Sequence, residues 1–206
     1  MLTSLPNLLT IARIICIPIL VVLFFIDAAW SVWSACALFT VAAATDYLDG
    51  YLARRMSTTS PLGKLLDPIA DKMLVAATLM LLLAFDHING WAVIPALIIL
   101  LREILISGLR EFLAGMDAKG LPVSRLAKWK TGVQMTALAV LIVGPYGPAA
   151  LPTVAIGEIG VWVAGLLTIV TGWAYFREGM RQALEESPPP AAKRESPPKT
   201  AAGASF

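Results

Sequence analysis

Apolar runs of about 20 residues recur along this 206-residue chain, and they leave few folds open. In hydrocarbon every backbone N–H and C=O must find its partner within the chain, so such a run crosses as a helix. Six runs follow one another, at about 8–26, 30–52, 62–85, 91–113, 127–144 and 155–176. Ahead of them, Leu2 and Leu5 suit a shallow interfacial turn and Pro6 suits a helix start. The predicted fold class is all-α: a polytopic membrane protein with six transmembrane helices and a short N-terminal interfacial helix. Composition agrees, with 58% hydrophobic and 15% charged residues where a soluble domain has roughly a half and a quarter. The formal charge of +2 is small, and no nucleic-acid partner is expected.

The distribution of charge says more than its sum. Lys and Arg crowd the connections at 53–64 and 114–130 and the C-terminal tail. The connections near 27–30, 85–91 and 144–158 carry only Asp27, Asp86 and Glu158. Basic connections stay on the cytoplasmic side, so both termini are expected there, in a cell (inner) membrane. Trp30, Trp33 and Trp91 then fit the opposite interface, and Trp129 and Trp173 the cytoplasmic one. The N-terminal stretch lacks a basic region before its apolar run, so it is expected to be retained. Cys16 and Cys36 lie in apolar runs without metal-type spacing and read as small buried hydrophobes. Two units are expected: a membrane domain at 1–186 and a Pro-, Ala- and Ser-rich tail at 187–206 that cannot pack a core and is expected to be disordered.

Between the second and third runs, residues 45–72 break the apolar pattern with four acids. Asp46 and Asp49 are three apart, and Asp67 and Asp71 four apart, so each pair shares a helix face. Carboxylates near lipid are costly, and an acidic cluster there is a functional site by default. Two acid pairs suit hard divalent cations with oxygen ligands. A solvated helix end, or ion pairs with Arg54, Arg55, Lys64 and Lys72, would explain the acids but not the glycines set among them.

The segment fits D-x2-D-G-x2-A-R-x8-G-x3-D-x3-D through Asp46, Asp49, Gly50, Ala53, Arg54, Gly63, Asp67 and Asp71. It resembles the signature of the CDP-alcohol phosphatidyltransferases, six-helix membrane enzymes that move a phosphatidyl group from a CDP-linked lipid to an alcohol. Physical chemistry stands beside that resemblance. A pyrophosphate donor entering an acidic site needs bridging cations, and two metals clamp attacking and leaving oxygens. Asp46, Asp49 and Asp67 suit the metal cage, for two divalent cations, Mg2+ or Mn2+. Gly50 and Gly63 would let the donor, CDP-diacylglycerol, lie close to backbone. Arg54 can hold phosphate oxygens with its planar fork. The resemblance makes Asp71 the general base, with metal contact as well, and implies a homodimer. Asn7 and Thr10, in the stretch Pro6 to Arg13, also match the family where it approaches the donor; capping and packing are the alternatives. Arg13 either snorkels or faces the site.

The stretches 102–114 and 128–135 resemble the branch of the family whose acceptor is glycerol 3-phosphate. Arg102 and Arg110 lie eight apart, near one helix face, and Lys128 and Lys130 arrive from the next helix. An anionic acceptor approaching an acidic site needs such cations. For Arg102 a structural pair with Glu103 or a neighbouring helix is the alternative. Inositol phosphate, serine or phosphatidylglycerol as acceptor would keep the family and change the branch. A cation transporter is the reading from another class, but its site would lie at mid-membrane between repeated halves, and no repeat is evident.

Overall fold

A computed structural model describes residues 5–56, 61–115 and 125–185, with the side chains of 5–7, 46–56, 61–65, 67 and 185 outside the description. Six long helices account for nearly all of it: α1 (Leu5–Phe24), α2 (Ala29–Met56), α3 (Pro61–Ala84), α4 (Val93–Gly115), α5 (Arg125–Val143) and α6 (Thr153–Glu185). Short 3-10 turns at Gly90–Ala92 and Gly144–Tyr146 lead into α4 and out of α5. The described residues contain no strand, and the chain is an all-α membrane protein. Three helical stretches are long and apolar enough to cross a bilayer, Gly90–Gly115, Arg125–Tyr146 and Thr153–Leu184. Leu8–Phe24 and Ala29–Thr45 are shorter apolar helices. The polar residues Lys64, Asp67, Asp71 and Lys72 dilute the start of α3.

Several helix ends depart from the expected boundaries, that of α6 most, since it runs past 176 to Glu185. α2 runs on to Met56, so Arg54 and Arg55 are still helical. α5 starts at Arg125, within the expected basic connection, because Arg, Leu, Ala and Lys are good helix formers. The expected N-terminal interfacial piece lies mostly in residues 1–4, outside the described residues, and Leu5 and Pro6 form the first turn of α1.

α1 lies against both α2 and α3, and α6 lies against both α4 and α5. These two groups join where α2 meets α5 and α3 meets α4. All six helices supply the core, through Leu20, Phe39, Leu74, Ile99, Leu138 and Ala164 among others. Lipid tails are as apolar as these side chains, so close van der Waals fit holds the helices together rather than transfer from water. α6 can serve two neighbours because glycine thins it. A Cβ on Gly160 would stand 2.7 Å from the Ala137 Cβ of α5. A Cβ on Gly172 would stand 3.0 Å from Cγ of Arg102, so glycine there lets that side chain cross α6.

Each helix turns back from the end at which the previous one stopped. The starts of α1, α3 and α5 therefore gather with the ends of α2, α4 and α6. The opposite end is tied by polar contacts: His87 Nδ1 donates to the Leu141 carbonyl at 2.6 Å, and the Tyr146 hydroxyl donates to Asp27.

Candidate active site

The acidic signature divides between the last turns of α2 and the first turns of α3. Asp46, Asp49, Gly50, Ala53 and Arg54 are helical in α2, and Gly63 and Asp67 are helical in α3. Their side chains, with that of Asn7, lie outside the described residues. Asp71, one turn beyond Asp67, is half-buried. On α1, Thr10 and Arg13 are buried at the same end, 3% and 1% exposed. They lie three apart and so share a helix face, and α1 packs on both acid-bearing helices. Burial of a guanidinium at this depth marks a polar interior rather than a snorkelling contact.

The second half of the site comes from α4, α5 and α6. Lys130 is 3% exposed, and its ammonium donates to Oε1 of Glu103. Arg102 Nη1 reaches the same oxygen at 3.4 Å, and its Nη2 approaches Thr171 Oγ1 at 3.4 Å. The guanidinium carbons of Arg102 and Arg110 lie 5.6 and 5.3 Å from the centre of the Tyr175 ring. Two cations stacked on one ring are brought close without direct pairing. Asp71 of α3 lies within electrostatic reach of Lys130, which links the two halves.

Arg102, Arg110 and Lys130 are thus gathered, as their spacing suggests. Lys128 points elsewhere. It is two residues from Lys130, about 200° around the helix, and is exposed. With Arg125, Trp129, Gly132 and Thr136 it lines a groove of 630 Å³. Glu103, Thr171 and Tyr175 were not singled out as site residues by sequence reasoning. An acid in an apolar run was a signal for Glu103; nothing local distinguishes Tyr175. Gln134, one turn on from Lys130, is 2% exposed, and its Oε1 has no hydrogen-bond partner among the described residues.

The family model of the CDP-alcohol phosphatidyltransferases matches residues 3–171, which is most of the chain and takes in the site residues up to Thr171. The chain belongs to that family. Curated relatives agree. A CDP-diacylglycerol–glycerol-3-phosphate 3-phosphatidyltransferase of Rickettsia typhi is 47% identical, over 84% of this chain and 96% of that protein. One of the same name from Cereibacter sphaeroides is 38% identical, over 89% of this chain and 98% of its own length. A CMP-forming cardiolipin synthase of Oryza sativa is 42% identical, over 68% of this chain but only 46% of that protein.

CDP-alcohol phosphatidyltransferases use divalent metal ions. The donor set here fits by its chemistry: four carboxylates at one end of adjoining helices are hard oxygen ligands. Among the described residues, which omit three of the four acid side chains, no metal-holding cluster is complete.

Proposed function

We propose that the chain transfers the phosphatidyl group of CDP-diacylglycerol to the primary hydroxyl of sn-glycerol 3-phosphate, giving phosphatidylglycerophosphate and CMP. The observation that carries the acceptor is the gathering of Arg102, Arg110 and Lys130 at the same end as the acidic signature. A buried ammonium and a guanidinium on one carboxylate, with a second guanidinium over the Tyr175 ring, favour an anionic ligand. Relatives bearing this activity's name across nearly their whole length support the same reading.

One phosphorus–oxygen bond forms in the reaction and one breaks. Asp71 takes the proton of the acceptor hydroxyl as its oxygen attacks the lipid-linked phosphorus. The electron pair of the broken bond leaves on the phosphate of CMP. Arg54 holds phosphate oxygens of the donor. Gly50 and Gly63 let the nucleotide approach backbone, and Asn7, Thr10 and Ala53 complete its site. Arg102, Arg110 and Lys130 seat the acceptor phosphate, and Lys128 adds positive field at the mouth of α5. Two divalent cations, Mg2+ or Mn2+, held by Asp46, Asp49, Asp67 and Asp71, would neutralise the charge that develops on the departing phosphate.

The site and both termini face the cytoplasm of a cell (inner) membrane, where the soluble acceptor is found. Residues 1–186 form the catalytic domain, residues 187–206 a dispensable tail, and two copies a homodimer. The test is CMP release by the purified protein with CDP-diacylglycerol and a panel of acceptors: glycerol 3-phosphate, glycerol, inositol 1-phosphate, serine and phosphatidylglycerol. Glycerol 3-phosphate should be the best. Glycerol should be poor, because it leaves the cations unpaired. Preference for any other acceptor would keep the family and remove this assignment.

A further inference from the structure

Glu103 is an acid within the apolar run of α4, and its carboxylate meets cations from two helices. We propose that Glu103 is a positioning residue for acceptor binding: it sets Lys130 of α5 and Arg102 of α4 at a fixed separation, so that their remaining donors converge on the acceptor phosphate. This rests on the reading that the acceptor is a phosphomonoester.

The geometry argues for positioning rather than for stability alone. α4 and α5 each pack on α6, and the Lys130–Glu103 contact ties them directly at the end that carries the acids. A lysine stem is flexible, and a single ion pair removes much of its freedom before a ligand arrives. The side chains are 4% exposed for Lys130, 13% for Arg102 and 18% for Glu103, so little water is present to do this work. Apolar residues would fill the same space at less desolvation cost, which makes a buried ion set weak evidence for stability.

Charge points the same way. Lys130 and Arg102 would repel each other at this separation without a carboxylate between them. Lys130 has three N–H donors and Arg102 five, so binding one acid leaves most of them for a ligand. Three cations, counting Arg110, outnumber Glu103 and the nearby Asp71 and leave a formal charge of +1. A phosphomonoester, which carries about −1.5 to −2 at neutral pH, is drawn to such a net positive pocket. Without Glu103 the pocket would hold one more positive charge and no anchor for Lys130.

The test is steady-state kinetics of CMP release by purified wild type, Glu103→Gln, Lys130→Gln and the double variant, with each substrate varied in turn. Glu103→Gln keeps the shape and one acceptor oxygen but not the charge. It should raise KM for glycerol 3-phosphate by about tenfold or more, since it loosens an ionic contact at one remove. KM for CDP-diacylglycerol and kcat should stay within about threefold, as expected when only binding of one substrate is touched. The double variant should lose less than the sum of the two single losses, because Glu103 acts in part through that lysine and in part through Arg102. Glu103→Asp, which keeps the charge on a shorter stem, should fall between wild type and Glu103→Gln. An unchanged KM for glycerol 3-phosphate, equal rises for both substrates, additive losses in the double variant, or failure of Glu103→Gln to accumulate as folded protein would each overturn the proposal. Wild-type protein that transfers to no phosphomonoester would instead overturn the reading on which it rests.

Discussion

Replacing Arg110 by Ala tests the acceptor site where the fold is least at risk. Arg110 is exposed, and its guanidinium lies over the Tyr175 ring at 5.3 Å. A stacked cation at an exposed position is worth about 0.5–1 kcal/mol, so the folded state should survive its loss. Binding is a different matter. Removing one partner of an ionic contact to a ligand costs about 2–5 kcal/mol. Partial exposure of Arg110, and the presence of Arg102 and Lys130, argue for the lower end of that range. At about 1.4 kcal/mol per factor of ten, 2 kcal/mol corresponds to about a 30-fold fall in kcat/KM for glycerol 3-phosphate. Arg110→Lys keeps the charge but not the planar fork and should recover part of it. The assay is CMP release at saturating CDP-diacylglycerol with glycerol 3-phosphate titrated, followed by the converse titration. KM for CDP-diacylglycerol should stay within about twofold, because the donor is held by other residues. A change of less than about threefold in kcat/KM for glycerol 3-phosphate would refute the placement of its phosphate on α4.

Other outcomes follow from the same site and fold. Asp46→Asn, Asp49→Asn or Asp67→Asn should each abolish CMP release while the protein still inserts, and chelation should do so reversibly on addition of Mg2+; full activity in chelator would end the metal-dependent mechanism. With Cys16 and Cys36 replaced by Ala, a cysteine at Ser57 should react with an impermeant reagent only from the cytoplasmic side and one at Gly147 only from outside, and the reverse pattern would invert the site. Gly160→Val would drive a side chain into Ala137, whose Cβ is already 2.7 Å from where a Cβ would stand. It should lower stability by about 1–3 kcal/mol, read as an earlier thermal unfolding midpoint, and leave both KM values unchanged.

Much of this molecule was legible before any coordinates. Length and continuity of the apolar runs dictated helices, because only an internally bonded backbone is tolerated in lipid. The signature acids, glycines and Arg54 stood out for the same reason: polar residues are expensive there and persist at sites of function. Arg102 and Arg110 could be placed on one face from their spacing, and the structure stacks both on Tyr175.

Which faces pack was not legible. A helix that is apolar nearly all round carries no period to mark its buried side. Lys128 and Lys130 look alike in sequence, yet one lines an outer groove and the other is buried against Glu103. Tyr175 is more than sixty residues from the arginines it supports, and nothing near it in the chain announces that role. The sequence by itself determined a helical membrane protein and the chemistry of its acidic segment, because composition and short spacings act through local physics. Only the tertiary structure decided that α6, thinned by glycine, would bring α4 and α5 together, and so which cations would face one another across Glu103.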